Sequence, residues 1–504
     1  MSLTSALRRA ALVRPTGLAF VSGGTCVTWR DAVSRVASLA GGLRAQGVQP
    51  GSRVATLALN SPMYYELLLA VWWVGGILVP LNTRLAAEEI AYILEHSGPS
   101  LIISDDELAE LAAKGATGRC RHLRLDTATY ASLLNASPID SEMPALDSTA
   151  GIFYTGGTTG MPKGVELSHC NLAFAAGNMQ RDLQHDGETV YLHASPMFHL
   201  ADFGISLGGT LAAGGHSFMA RFTPELFYAR LREDGVTHLQ LVPTMLASVL
   251  DAPCRDDRLL SRIKRISYGA APISSSLLER TLEAFPQAQI HQFYGMTESS
   301  GASVMLAPDR HILSGPKAGK LLAAGQVTAG FEMRIANDSG ATLPPGQVGE
   351  IQVRGPAVMK GYWQDPEQTA NTFVDGWLRT GDGGYLDDEG FVFVVDRIKD
   401  MIISGGENIY CAEVESALAS HPAVQACAVI GLPDVHWGER VHAVIVPRTG
   451  ATVCGDELTA HCRDRLAGYK VPRSYDFAET LPLSGVGKVQ KKVLRDQYVA
   501  KKDT

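Results

Sequence analysis

Tyr154-Thr155-Gly156-Gly157-Thr158-Thr159-Gly160-Met161-Pro162-Lys163-Gly164 follows directly on the apolar run Gly151-Ile152-Phe153. Glycines let consecutive backbone N–H groups converge on an anion without interference from a Cβ. The threonine hydroxyls add donors and Lys163 adds a mobile positive charge, so the stretch reads as a phosphate cradle. It is not of the Walker type, which ends in Gly-Lys-Ser/Thr and opens a helix. Here Pro162 precedes the lysine and Gly164 follows it. Val165-Glu166-Leu167 reads as a strand, so the predicted local form is a strand–loop–strand hairpin.

Outward from the cradle, the chain from Thr28 to about Pro286 alternates amphipathic helices with short apolar strands: helix over Trp29–Ala45, strand over Arg53–Leu59, helix over Ser61–Val74, strand over Ser100–Ile103. This alternation predicts α/β layers with largely parallel sheets. The apolar run Leu67 to Val79 is too short to span a bilayer and reads as a buried helix ended by Pro80. Beyond Lys320 the texture turns to β, with strands expected over Phe331–Ala336, Gly349–Arg354 and Phe391–Val395. After Asp396-Arg397-Ile398-Lys399-Asp400 a further α/β pattern begins. The expected fold is α/β throughout: a large N-terminal domain of layered sheets plus a β-rich subdomain (1–396), and a small mobile C-terminal α/β domain (397–504).

At 504 residues the chain is too long for one core. Its 46% hydrophobic content describes a globular protein, and a net charge of −8 argues against general affinity for nucleic acid or anionic membrane. The 8 cysteines have no metal-ligand spacing, which predicts reduced thiols and a cytoplasmic setting. No targeting signal is read at the N-terminus. The segment from Arg397 onward nets +1, so the rest of the chain carries all of the net negative charge.

Four further segments join the cradle. Tyr294-Gly295-Met296-Thr297-Glu298 offers an aromatic face, a hydroxyl and a carboxylate. Trp377-Leu378-Arg379-Thr380-Gly381-Asp382 ends in an acid suited to accept from two ribose hydroxyls. Asp396-Arg397-Ile398-Lys399-Asp400 sits on the predicted boundary, and Gly485-Val486-Gly487-Lys488 presents a lysine on a glycine-flanked loop. In order and spacing, over essentially the whole chain, these motifs resemble those of the adenylate-forming superfamily of acyl- and aryl-CoA synthetases, beetle luciferases and peptide-synthetase adenylation domains. The family's first loop usually has serine where this chain has Gly156, which removes one hydroxyl and keeps the backbone cradle.

The resemblance implies an ATP-dependent ligase. A carboxylate attacks the α-phosphorus, pyrophosphate leaves, and a thiol then displaces AMP from the acyl-adenylate. Such phosphoryl transfer needs alignment and charge stabilisation more than covalent help. By resemblance, Thr155, Gly156, Gly157, Thr158, Thr159, Gly160 and Lys163 would hold the β- and γ-phosphates. Thr297 would bind the α-phosphate, and Glu298, with Thr155, would coordinate Mg²⁺, a hard cation that prefers oxygen. Gly269, Ala270, Ala271, Pro272, Tyr294, Gly295 and Met296 would surround the adenine, and Asp382 and Arg397 would grip the ribose. Lys488 would bridge carboxylate and α-phosphate in the first half-reaction. Lys399 holds the hinge position. After rotation, Ser404, Gly405, Gly406 and Trp437 would meet CoA.

His199 lies in Pro196-Met197-Phe198-His199, beside the acyl site of the family. The absence of an acid there argues against an α-amino acid substrate. Gly295 stands where short-chain enzymes carry tryptophan, and with Gly204, Gly208 and Gly301 it predicts a roomy acyl pocket. Medium- or long-chain fatty acids and bulky aryl or alicyclic acids all remain. Gly204-Ile205-Ser206-Leu207-Gly208 matches the hydrolase G-x-S-x-G pattern, but its flanks read as one helix, not as a strand–turn–helix. Expected partners are the acid, ATP and CoA, with no nucleic acid and no stable membrane insertion; a homodimer is left open. A carrier-protein phosphopantetheine supplied in trans is the alternative acceptor, and a non-catalytic nucleotide-binding relative is the alternative of a different class.

Overall fold

The computed structural model describes residues 3–155, 161–271, 273–315, 318–448, 450–483 and 489–500. Among them the strands form four sheets. The cradle hairpin, Thr149–Thr155 against Lys163–Ser168, is antiparallel as read, with Thr155 facing Lys163. It belongs to a seven-stranded sheet with parallel neighbours at Ile77–Pro80, Arg53–Leu57, Leu101–Ser104 and Arg121–Arg124.

A nine-stranded sheet runs in the order Gln326–Val327, Gly301–Leu306, Gln289–Met296, Arg265–Gly269, His238–Leu241, Val190–His193, Gly215–Phe218, Leu18–Ser22, Thr25–Thr28. Chain order reverses between Val190–His193 and His238–Leu241. In open α/β sheets the crevice beyond the carboxyl ends of the strands at such a reversal is where ligands sit. Between the two large sheets lies the helix Leu200–Leu211, termed here the roof helix. On one side its Phe203 meets Trp72 and Phe153, at centroid distances of 5.4 and 6.1 Å. On the other, its Ile205 packs with Met179, Leu183 and Tyr191.

The helix Trp29–Ala45 forms with the expected ends because the Thr28 side chain accepts from the Asp31 N–H. The Leu67–Val79 reading is corrected. The helix is Pro62–Trp73, capped by Ser61, and Ile77–Pro80 is a strand. Gly75, at φ +77°, turns the chain between them. Ser206 lies fully buried within the roof helix, so the G-x-S-x-G match is no nucleophile elbow. Among the described residues no helix is long and apolar enough to cross a membrane. All eight cysteines are free thiols.

A third, antiparallel sheet ends with Val392–Arg397 paired to Trp377–Leu386. Asp382 therefore sits within a ten-residue strand instead of ending one. From Ile402 the chain builds a fourth sheet with its own buried core, including Ile409, Val414, Leu418, Val441 and Ile445. The bridge Leu483–Val489 and the Gln490 N–H on the Pro482 carbonyl (2.8 Å) close the base of the lysine loop.

Candidate active site

Three segments converge on one place. Gln289–Met296 carries Tyr294 to the carboxyl end of the nine-stranded sheet, and its hydroxyl donates to Asp382 Oδ2 at 2.7 Å. Arg397, facing Asp382 in strand register, places Nε 2.7 Å from Oδ1 of the same carboxylate. Both oxygens of Asp382 are thus engaged, and the carboxyl group is buried at 7% exposure. Burial, and then the adjacent Asp382 charge, push the Tyr294 hydroxyl well above its ordinary pKa.

Thr297-Glu298-Ser299 forms a single tight turn. Ser299 Oγ accepts from the Met296 N–H at 3.2 Å and lies 2.9 Å from the Gly301 carbonyl oxygen. The Met359 N–H donates to the Glu298 carbonyl at 2.8 Å, and Ser300 Oγ donates to the Ala357 carbonyl at 2.6 Å. The Glu298 side chain is held by the Tyr362 hydroxyl, which donates to Oε1 at 2.8 Å. Burial pushes its carboxyl pKa up, against the Tyr362 hydrogen bond and the charges of Arg397 and Lys163. Lys163 Nζ in turn lies 5.3 Å from the Tyr362 ring centroid. Tyr362 is the residue that sequence reasoning missed. It joins the cradle lysine to the buried acid, and only the Gly361-Tyr362-Trp363 cluster beside Lys360 could have drawn attention to it.

Gly269 ends its strand where an added Cβ would come within 2.3 Å of the Phe293 carbonyl oxygen, and Ala270 follows at φ +64°. Only a glycine allows that backbone approach. Ala271 continues the same turn; Pro272 lies outside the described residues. So do Gly156, Gly157, Thr158, Thr159 and Gly160 of the cradle, and Lys488. Thr155 and Lys163 mark the cradle's two ends. Beside Lys163 and Tyr362 is a recess of about 220 Å³ also lined by Tyr92, His96, Trp363 and Asp365. Its wall is braced by His96 Nδ1 and the Tyr154 hydroxyl, 2.7 Å apart.

His199 caps the roof helix, its ring Nδ1 accepting from the Ala201 N–H at 3.2 Å. The four glycines expected to make the pocket roomy divide into two kinds. A Cβ at Gly204 would meet nothing nearer than the Ser300 carbonyl oxygen at 3.9 Å, and one at Gly301 nothing nearer than that of Leu200 at 3.8 Å. These two border open space beneath the start of the roof helix. At Gly208 a Cβ would lie 2.9 Å from the Gln180 backbone nitrogen, so this glycine serves helix packing. At Gly295 it would lie 1.9 Å from the Gly301 carbonyl oxygen, at a bulge in the strand pairing, so a tryptophan there has no room without backbone movement. Neither bare position widens a tunnel.

On the small domain, Gly405 adopts φ +63° with its N–H on the Trp437 carbonyl, and a Cβ would touch the Trp437 ring at 2.8 Å. The ring carries the Arg473 guanidinium at 4.3 Å. Ser404 is buried beside this turn, and Gly406 has open space. Lys399 lies in the short turn Ile398–Asp400. Asp396 and Asp400 on either side of it reach into the small domain: Asp396 Oδ2 accepts from the Ala412 N–H, and Asp400 lies 3.7 Å from Arg495.

Among the described residues no cluster of three or more His, Cys, Asp or Glu could hold a metal alone. The donor set nevertheless fits magnesium. Glu298 is a buried carboxylate that a cation would relieve, and Mg²⁺ is usually held by one or two carboxylates together with substrate phosphates.

A buried acid beside the cradle hairpin, at the carboxyl ends of the nine-stranded sheet and ahead of a smaller sheet with its own core, is the arrangement that the motifs predict for an enzyme of the adenylate-forming class. The chain belongs to the AMP-binding enzyme family: residues 7–363 match that family, and 413–488 match the AMP-binding enzyme C-terminal domain. It is 42% identical over 500 residues to a feruloyl-CoA synthase from an Amycolatopsis species, covering 97% of this chain and 98% of the relative. It is 35% identical to a fatty acid–[acyl-carrier-protein] ligase of Streptomyces coeruleorubidus, covering 96% and 94%. In structure it resembles the o-succinylbenzoate coenzyme A synthetase of Bacillus subtilis solved with ATP and a magnesium ion. That match has 33% identity, 98% coverage of both chains and a TM-score of 0.86.

Proposed function

We propose that this protein joins a carboxylic acid larger than acetate to CoA, through an acyl-adenylate and at the expense of ATP. The convergence of Tyr294, Asp382, Arg397, Glu298, Tyr362 and Lys163 carries the reading. Tyr294 and the Gly269–Ala270 turn receive the adenine, and Asp382 with Arg397 the ribose. Thr155 and Lys163 hold the outer phosphates, and Thr297 donates to the α-phosphate. Glu298 and Thr155 would hold magnesium, whose positive charge would offset that of the phosphates. The acid lies beneath the roof helix near His199, Gly204 and Gly301, with its carboxylate in line with the α-phosphorus. Lys488 offsets the repulsion between carboxylate and phosphate as pyrophosphate leaves. The domain from Arg397 then turns about Lys399 and brings Gly405, Gly406 and Trp437 to the thiol.

The feruloyl-CoA synthase relative supports the aryl end of the substrate range. The carrier-protein ligase relative keeps phosphopantetheine as a second acceptor to be tested. Acid-dependent ATP–pyrophosphate exchange over a panel of carboxylic acids, followed by thioester detection with CoA or a carrier protein, tests the reading. Lys488→Ala is expected to abolish exchange while sparing thioester formation from a supplied acyl-adenylate; equal loss of both steps would refute the assignment.

A further inference from the structure

Lys163 and Glu298 bring opposite charges into the same site. Burial pushes the Glu298 carboxyl pKa up, and the nearby Lys163 charge acts against that rise. Charges that near attract, and the flexible lysine stem is free to swing toward the acid. Yet among the described residues neither of the two is in an ion pair. Both meet Tyr362 instead. Its hydroxyl donates to Glu298 Oε1 at 2.8 Å, and Lys163 Nζ lies over its ring, 5.3 Å from the centroid.

The place of the ring depends on neither charge. Tyr362 stands opposite Val165 of the cradle's outgoing strand, and the Trp363 N–H donates to the Gly164 carbonyl at 2.7 Å. The Tyr362 N–H donates to Thr369 Oγ1 at 2.8 Å, and the Met359 N–H ties the same segment to the Glu298 backbone. One segment is thus fastened both to the cradle strand and to the turn of the acid, and it carries the ring in with it. We propose that Tyr362 is a positioning residue that keeps Lys163 and Glu298 from pairing, so that the lysine stays free for phosphate while the site is empty. This rests on the acid-activating reading above and deepens it. The ring face holds a cation less firmly than a carboxylate does, so an arriving phosphate can take the lysine from it. Were the pair to form, a lysine engaged about nine-tenths of the time would weaken nucleotide binding about tenfold.

The test is calorimetric binding of ATP with magnesium chelated, so that no metal competes for Glu298. Tyr362→Phe removes the hydroxyl that tethers the acid, and Tyr362→Leu removes the ring as well. The Kd for ATP is expected to rise severalfold in the first and about tenfold in the second. In a Glu298→Gln background, which leaves the lysine no charged partner there, each substitution should cost less than about twofold. Equal losses in both backgrounds, which would mean that Tyr362 only supports the fold of the cradle, overturn the proposal and leave the acid-activating reading standing. So does unchanged affinity in both tyrosine variants. An unmodified protein that binds no ATP, with magnesium or without, overturns both.

Discussion

Along Val190–His193, His238–Leu241 and Arg265–Gly269, alternate residues go to opposite sides of the nine-stranded sheet. Leu192, Leu239, Leu241 and Ile266 pack with Phe227, Leu246 and Leu278 in a wholly apolar layer. Tyr191, His193, Gln240 and Ser267 lie on the other side, under the roof helix, and are just as buried. There Asp202 accepts from Tyr191 (2.9 Å) and from His193 (2.7 Å). His193 lies 3.1 Å from His216, and His216 3.1 Å from Thr210, which bonds to Tyr65. The apolar face gains stability from burial that needs no partner. The polar face is held by a chain of specific bonds, each costly if broken, and in exchange it presents hydrogen-bonding groups to the crevice at the chain reversal.

Acid should separate the two faces most strongly. Burial lowers the imidazole pKa of His238 and of His291 to about 4, each helped by the charge of Arg265. The unfolded chain binds these protons from about pH 6.5 downward and the folded chain does not, so stability falls between about pH 6.5 and 4 and levels off below. At pH 4.5 the pair should cost about 5 kcal/mol. Urea unfolding at pH 7 and 4.5 reads the total, to which other buried histidines with lowered pKa, His169 and His311 among them, also contribute; His238→Gln with His291→Gln should shrink the difference by about the amount given for the pair. Next, Asp202→Ala strands Tyr191 and His193 without their acceptor and should cost about 2–5 kcal/mol, at about 1–3 kcal/mol for each buried group left unsatisfied. A loss below about 1 kcal/mol would remove the claim that the polar face depends on its network.

On the apolar face, Leu241→Ala should cost about 2–4 kcal/mol and leave the pH dependence untouched. A change in that dependence would mean that the faces are coupled. A smaller effect is expected at Gly208→Ala, where the new methyl meets the Gln180 backbone and overpacks two helices by about 1–2 kcal/mol. Gly204→Ala, facing open space, should leave thermal stability nearly unchanged. Equal melting shifts for the two would erase the distinction drawn between them.

These contrasts explain what could be read from sequence. The cradle hairpin and the Trp29–Ala45 helix were legible because glycine content, capping and amphipathic spacing are local signals. Tyr294, Glu298, Asp382 and Arg397 were legible as a family motif, and the structure brings them together. The helix over Ser61–Val74 was legible to within a residue at each end; what failed was carrying the apolar run on as helix to Pro80, because Ile77–Pro80 is mostly buried and has no periodicity to mark it as a strand. Tyr362 belongs to no spaced motif, so only tertiary structure links it to Glu298. The polar face was illegible for a related reason. Alternation marks polar residues as solvent-facing, and nothing local says that a helix covers His193, Gln240 and His291.

The Asp382 carboxylate already has one partner on each oxygen, Tyr294 and Arg397. Each of those oxygens keeps a second lone pair, so a ribose bound there as proposed would add its hydroxyls to a carboxylate that is already fixed in place. Tyr294 and Arg397 would keep that carboxylate paired whether or not a nucleotide is present, and no buried charge would be left bare at release. Such an acceptor would be pre-organised at little cost in ordering when the ligand binds.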